Sequence, residues 1–333
     1  MKEKILRALR DAGAGYVSGT ELCEALGVSR QAVWKNITVL KENGYQIESV
    51  PKKGYRLASV PDKLYAPDLL SRLPENGICQ KVECFQTIDS TNTKAKQLAE
   101  LGEAEGMLVT AEEQTAGKGR RGRSWESDPG VGIWMTLLLR PSILPVKVTG
   151  LTLLAALALV RAVKKVCSLD AQIKWPNDVI LAKKKICGIL TEMSSEENFV
   201  HYVVVGIGIN ANMSSFSKEV EKMATSIYLQ TGKKTNRAEL AAAWVENFCG
   251  YYEQFIQKQD LSFVIEEYNG VMANKDKEVR VYYGMTEQAS LENTDVGIAR
   301  GIDRDGALLV EMEGQVKRIV SGEVSVRGLH GYV

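Results

Sequence analysis

The sequence predicts an α+β protein of three domains: a small helical N-terminal module, a central mixed sheet with helices, and a small all-β C-terminal unit. Three observations predict it. Residues 1–60 carry helical periodicity and then two short extended runs. Between Val82 and Ile209 strand patterns dominate, helical patterns interrupt them, and several strand pairs have hairpin-length connections, so a repeating βαβ array does not fit. From Lys275 onward apolar and polar residues alternate in short stretches. At 333 residues the chain is too long for one ordinary domain, and 45% hydrophobic with 25% charged residues is a globular composition. The expected divisions are 1–60, 66–272 and 275–333.

In the first domain, Ile5, Leu6 and Leu9 form an apolar stripe at helical spacing. Ser18 or Thr20 can cap a second helix with buried face Leu22, Ala25 and Leu26, ended by Gly27. Ser29 caps a third helix reaching about Glu42, with Val33, Ile37 and Leu40 inside and Gln31, Trp34, Lys35 and Thr38 outside. Two short helices joined by a tight turn over Gly19 to Thr38, the second with a hydrogen-bonding outer stripe, match a helix-turn-helix. Gln31 and Lys35 suit base edges, and Arg30 suits bases or phosphate. Tyr45 to Val50 and Tyr55 to Leu57 then read as a hairpin with Lys52 and Lys53 at its tip, a wing placed for phosphate. Ten basic against six acidic residues over 1–60 agree with DNA as partner; the alternative is an interaction module with a solvated polar face. Ala58 to Pro67 reads as a linker, with Pro61 and Pro67 among polar neighbours.

Central strands are expected at Val82 to Phe85, Met107 to Glu112, Gly132 to Leu139, Ala171 to Trp175, Val179 to Leu181, Lys185 to Glu192 and His201 to Ile209, with helices at Thr93 to Leu101 and Val148 to Val166. Gly132 to Leu139 is expected as an exposed edge strand and a candidate dimer face. The apolar stretch Leu151 to Val160 runs into Arg161, Lys164 and Lys165 and reads as a buried helix, so no membrane partner is expected. Net charge is +1 and names no partner. The six cysteines form no CxxC pair and there are two histidines, so no permanent metal site is expected. No signal-peptide pattern opens the chain, and a reducing cytoplasm is the expected location.

The chemistry concentrates in two runs. Gly117 to Arg123 holds Gly117, Lys118, Gly119, Arg120, Arg121, Gly122 and Arg123, followed by Trp125. Glycines let a backbone bend around a ligand, and cations attract phosphate or carboxylate. The second run is Lys174-Trp175-Pro176-Asn177-Asp178, followed by Lys183-Lys184-Lys185-Ile186-Cys187-Gly188. Strand alternation is expected to send Lys185 and Cys187 to one face and Ile186 to the other. A Walker loop is excluded by spacing and by the missing hydroxyl. Gly206-Ile207-Gly208 is followed by Ala211 and makes a weak Rossmann fingerprint. Neither His201 nor His330 lies in a triad motif. Taken singly, the lysine run suits a solvated turn and the cationic loop a nucleic-acid contact; neither reading accounts for both in this order.

Together with Asp89-Ser90-Thr91-Asn92-Thr93, Val205 to Asn210, and the C-terminal runs Gly301 to Leu308 and Gly322 to Arg327, the two runs resemble the biotin protein ligases over nearly the whole chain. The N-terminal module makes the chain similar to the members that also repress the biotin operon. The resemblance implies a catalytic domain of the biotin/lipoate ligase type and two half-reactions: biotin and Mg²⁺-ATP give biotinyl-5′-adenylate, and biotin then passes to a lysine of a biotin carboxyl carrier protein of acetyl-CoA carboxylase or a related carboxylase. By motif position, Ser90, Thr91, Asn92, Gln114, Lys118, Gly119, Arg120, Lys185, Gly206 and Gly208 are expected at biotin, with Lys185 and Arg120 catalytic. Arg120, Arg121, Arg123, Trp125, Asn177 and Asn210 are expected at the adenylate. Trp134 offers an apolar wall or plain core packing, and Arg327 a contact beside the nucleotide. No contacts are assigned between Asn212 and Leu240. The resemblance further implies a homodimer that binds DNA when loaded with the adenylate as corepressor. A ligand-sensing repressor with an inactive ligase domain, or a lipoate or octanoyl ligase, stay as alternatives.

The last domain is expected to hold strands at Glu278 to Tyr283, Gly297 to Ile302, Ala307 to Glu311, Val316 to Ser321 and Val324 to Val326, with turns at Asp305-Gly306 and Glu313-Gly314. That density of short strands suggests a small barrel of the SH3-like kind.

Overall fold

The computed structural model describes residues 1–283, 293–321 and 324–328, without the side chains of Val324 and Ser325. Gly322, Glu323 and His330 lie outside the described residues. The N-terminal domain is the expected winged helix. Helices α1 (Lys2–Asp11), α2 (Gly19–Leu26) and α3 (Arg30–Glu42) close over Ile5, Leu6, Leu9, Leu22, Val33, Ile37 and Leu40. Ser18 caps α2 in a reciprocal capping box with Glu21, Gly27 ends it in the left-handed region, and Ser29 caps α3. One detail differs. Ala25 is exposed, and Cys23 packs beside Leu22 and Leu26 instead. At about 100° per residue Cys23 and Leu26 flank one side of Leu22, and Ala25 falls on the other. Strands β1 (Gln46–Val50) and β2 (Gly54–Ser59) form the antiparallel wing with Lys52 and Lys53 in its turn.

The expected linker is a clasp. Pro67 opens α4 (Ala66–Arg72), which packs between α1 and the catalytic domain. Buried Asp68 pairs with Arg10, and Arg7 donates to the Leu70 carbonyl at 2.8 Å. Ahead of α4, Asp62 receives Arg237 Nε at 2.9 Å, and the Leu64 amide donates to Glu112 at 2.8 Å. Arg237 is 1% exposed and also donates to Glu112 at 2.8 Å, to the Gly132 carbonyl at 3.0 Å and to the Asp62 carbonyl at 2.7 Å. A buried guanidinium is tolerable only when paired and hydrogen-bonded in this way.

The central sheet comprises β3 (Lys81–Ile88), β4 (Met107–Gln114), β5 (Ile133–Leu139), β6 (Gln172–Lys174), β7 (Asp178–Leu181), β8 (Lys184–Ser195) and β9 (Val200–Ile209), in the order β3-β4-β5-β9-β8-β7-β6. Helix α5 (Thr91–Glu100) is the crossover between β3 and β4, the one parallel pair; the other pairings are antiparallel. Strand β5 is therefore no edge. It lies between β4 and β9 with all seven residues buried, which corrects the expected dimer face. An unbroken apolar run is the mark of a strand covered on both faces.

One sheet face packs on α6 (Thr149–Cys167) through residues such as Met135, Leu137, Val205 and Ile207. Helix α6, within Pro145–Cys167, is long and apolar enough to cross a membrane, but it is largely buried in this core. The other face carries α5 through Ala95, Leu98 and Ala99 against Val109, Leu138 and Val204. Besides α4, three further helices lie outside the expected set: α7 (Ile227–Thr231), α8 (Arg237–Lys258) and α9 (Ile265–Val271). Helix α8 is capped by Asn236 and packs Leu240, Trp244 and Phe248 toward α6, with Trp244 Nε1 bonded to the Ala155 carbonyl at 2.9 Å.

The C-terminal domain holds β10 (Glu278–Tyr283), β11 (Thr294–Ile302), β12 (Leu308–Met312), β13 (Gln315–Ile319) and β14 (Val324–Gly328) in one antiparallel sheet ordered β13-β12-β11-β10-β14. Among the described residues no β13–β14 pairing closes it into a barrel. Glu313 and Gly314, both at positive φ, make the two-residue turn between β12 and β13.

Candidate active site

The site grows from the α5 face of the sheet, where hydrophobic packing gives way to polar groups. Ser90, Thr91 and Asn92 start α5 and are buried. The Thr91 amide donates to Gln114 Oε1 at 2.9 Å, which ties the helix start to the end of β4. Gln114 Nε2 donates to Ser127 Oγ at 2.9 Å. Between Gln114 and β5 the cationic run folds on itself: the Gly119 amide donates to the Arg123 carbonyl at 2.7 Å, and the Trp125 amide to the Gly117 carbonyl at 2.9 Å. Arg121, at φ 58, stands at the tip. Lys118 Nζ donates to Thr93 Oγ1 at 3.1 Å, and Arg120 donates to Asn177 Oδ1 at 2.8 Å.

Strands β6, β7 and β8 supply the other wall. Lys174 is paired in register with Asp178. Lys185 Nζ lies 2.5 Å from the Asp178 carboxylate and 5.1 Å from the Trp125 ring centre. The strand alternation expected here fails. Ile180 opposes Lys185 and Val179 opposes Cys187, so Ile186 is a bulge. Past it, Cys187 joins the core, while Lys185 turns to the same side as Gly188. Burial lowers the Arg120 pKa, with Asp178 opposing that shift and Arg121 adding to it. Lys174, 6% exposed, is pushed down to about 8 by burial; Asp178 resists, and Lys185, Arg327 and Arg123 add to the shift.

Gly206 and Gly208 lie within β9, which removes any Rossmann reading. A Cβ at Gly206 would stand 2.0 Å from Asn92 Oδ1, and one at Gly208 2.5 Å from Trp125 Nε1. Only glycine lets the Asn92 amide and the Trp125 indole rest on this strand. The indole nitrogen is buried with no hydrogen-bond partner among the described residues.

Two cavities adjoin. The smaller, about 50 Å³, is lined by Ser90, Thr91, Asn92, Gln114, Lys118, Gly119, Arg120, Lys185, Gly206 and Gly208, all ten residues expected at the first substrate. The larger, about 700 Å³, is lined by Arg120, Arg121, Arg123, Trp125, Asn177 and Asn210, all six expected at the second. Gly119, Arg120, Trp125, Asn177 and Lys185 line both, so two cations stand at the junction. Such a junction can hold a carboxylate against a phosphate despite their like charge.

Sequence reasoning missed several groups. Thr136 and Glu192 buttress Thr91 and Asn92 from distant strands, Lys96 of α5 itself anchors Glu192, and none of the three carries a local motif. Met213, Phe216, Val220 and Met223 wall the larger cavity, from the segment left unassigned. Lys174 and Asp178 line it too, and Arg327, expected beside the nucleotide, joins them. Trp134 lines neither cavity; it is fully buried core, its Nε1 bonded to the Asp128 carbonyl at 3.3 Å. On the winged helix, Gln31, Trp34 and Lys35 are exposed on one face of α3, and Arg30 donates to Thr20 at 3.2 Å.

Fold and site define a class: a winged helix joined to a group-transfer domain whose two cavities meet at paired cations. The comparisons make this particular. The Biotin/lipoate A/B protein ligase family matches residues 84–210, an HTH domain residues 2–56, and the Biotin protein ligase C terminal domain residues 289–327. The Bifunctional ligase/repressor BirA of Bacillus spizizenii is 37% identical over 98% of both chains. That of Escherichia coli is 31% identical over 95% of this chain and 94% of its own. The solved structure of the Aquifex aeolicus biotin protein ligase in complex with biotin and ATP superposes with a TM-score of 0.63 at 28% identity, covering 75% of this chain and 99% of that one. The chain belongs to the biotin protein ligase family, in its bifunctional ligase and repressor form.

Proposed function

We propose that biotin occupies the smaller cavity and ATP the larger, and that Lys185 and Arg120 act where they meet. The observation that carries this is the sharing of those two cations by both cavities. A biotin carboxylate oxygen attacks the α-phosphorus, the bond to the bridging oxygen breaks, and pyrophosphate leaves. Lys185 and Arg120 offset the charge that accumulates on the phosphorus oxygens. In the second half-reaction a carrier lysine amine, having lost its proton, attacks the acyl carbon and AMP departs. Magnesium would come with the nucleotide, on its own phosphates, and would supply further positive charge there.

Lys52 and Lys53 of the wing and Arg30, Gln31, Trp34 and Lys35 of the helix-turn-helix contact operator DNA. The adenylate is the corepressor and the DNA-bound form is a homodimer, acting in the cytoplasm. The carrier protein of a biotin-dependent carboxylase is the acceptor.

The test is the intact mass of a biotin carrier domain incubated with this protein, Mg²⁺-ATP and biotin, beside a lipoyl domain with lipoate. One added biotin, absent without ATP, is expected. A gain only with lipoate would move the assignment to lipoate ligation. Tight biotin binding without transfer would make the protein a sensor, a reading that the intact Lys185 and cationic loop disfavour.

A further inference from the structure

Beneath the smaller cavity runs a chain of four oxygens. Asn92 Oδ1 lies 2.7 Å from Thr136 Oγ1, which lies 2.8 Å from Thr91 Oγ1, which lies 3.0 Å from Gln114 Oε1. Both ends are amide oxygens, which only accept. The Gln114 end is held in that sense by the Thr91 amide at 2.9 Å and by donation from its own Nε2 to Ser127. The Asn92 end is held by Glu192, whose carboxylate accepts from Asn92 Nδ2 at 2.8 Å; the Leu190 carbonyl accepts from the same nitrogen at a longer 3.2 Å. Glu192 is in turn anchored by Lys96 Nζ at 2.8 Å. Burial raises the Glu192 pKa, but the bonds from Lys96 and Asn92 outweigh it and leave the pKa below the usual carboxylate range, so the group is ionised and donates nothing.

Two hydroxyl hydrogens therefore serve three oxygen–oxygen contacts. One contact always lacks a hydrogen, and the surplus of lone pairs reaches Thr91 and Gln114, which line the cavity. A floor with surplus acceptors favours a ligand that brings N–H donors. The cyclic urea of biotin carries two; the dithiolane of lipoate carries none.

We infer that Glu192 is a positioning residue that sets substrate selectivity: by holding the Asn92 amide oxygen toward Thr136, it keeps the pocket floor short of one hydrogen and so tuned to ureido N–H groups. The inference rests on the biotin reading of this cavity. In Glu192→Gln, Lys96 draws the new amide oxygen to itself and turns its NH₂ toward Asn92. Asn92 is then no longer held, and when its amide turns over, each of the three contacts has a hydrogen.

The test pairs this substitution with a change in the ligand. Calorimetric Kd values are taken for biotin and for biotin methylated on a ureido nitrogen, with wild type, Glu192→Gln, Glu192→Asp and Thr136→Val. Wild type is expected to prefer biotin by about tenfold or more, the worth of a hydrogen bond to a site that needs one. That ratio should fall at least threefold in Glu192→Gln and in Thr136→Val, which removes a link of the chain, and should survive in Glu192→Asp. The bulk of the added methyl is common to all variants and cancels in the comparison. A purely structural role would weaken both ligands equally and leave the ratio at its wild-type value, which overturns the inference, as would a wild-type ratio near one. If Glu192→Gln does not fold by circular dichroism, Thr136→Val decides alone. Failure of the wild type to bind biotin at all would instead overturn the assignment of the cavity, and the inference with it.

Discussion

Raising the pH is expected to weaken nucleotide binding through one buried amine. Lys174 lies at the end of β6 and lines the larger cavity, with its pKa pushed down to about 8 chiefly by burial. A group titrating there is about nine-tenths charged at pH 7 and about one-tenth at pH 9. If only the ammonium form binds the phosphates well, KM for ATP rises about tenfold between those two values. Lys174→Arg keeps a charge across the range and should remove the rise. Biotin-dependent exchange of labelled pyrophosphate into ATP measures it directly. A flat KM in the wild type, or a rise that persists in Lys174→Arg, refutes the reasoning. The same shift has a consequence for stability. The folded pKa lies below the ordinary lysine value of 10.5, so between about 8 and 10.5 the unfolded chain binds more protons, and stability is gained as pH rises through that window.

Lys185→Ala should leave the circular dichroism spectrum unchanged and lower adenylation about 10²–10³-fold, as loss of a charge-stabilising donor does elsewhere; near-normal turnover would remove Lys185 from the mechanism. Arg237→Met leaves Glu112 without its buried partner and should cost about 3–5 kcal/mol in denaturant unfolding. A loss under about 1 kcal/mol would mean that the clasp is hydrated and weak. Replacing Lys52 and Lys53 together with alanine should reduce the slope of log operator affinity against log salt by about two while carrier biotinylation continues as before. An unchanged slope would take the wing off the DNA.

Trp134 apart, the residues expected at the two substrates line the two cavities, and the reason is local. Close backbone packing needs glycine, anion binding needs cations, and helix starts need caps, so each leaves its signature among sequence neighbours. The misreadings share another cause. The expected edge at β5 fails although its apolar residues run without alternation, because which strands flank a strand depends on chain segments far from it. The bulge at Ile186 reversed the expected sidedness of Cys187, and a single inserted residue has no mark in composition. The caps and i, i+4 spacing of α8 were present in Asn236, Leu240, Trp244 and Phe248 and went unread.

By itself, then, the sequence determined the three-domain order, the winged helix, the cationic loop and the identity of the residues around the two cavities, because these depend on backbone conformation and charge within a few residues. Only the tertiary structure decided that the linker is clasped by Arg237, that Lys174 is buried enough to titrate near neutrality, and that Glu192 and Thr136 orient Asn92 from strands far away in the chain. Burial and hydrogen-bond direction are properties of what surrounds a group in space, and that is set by strand register and packing.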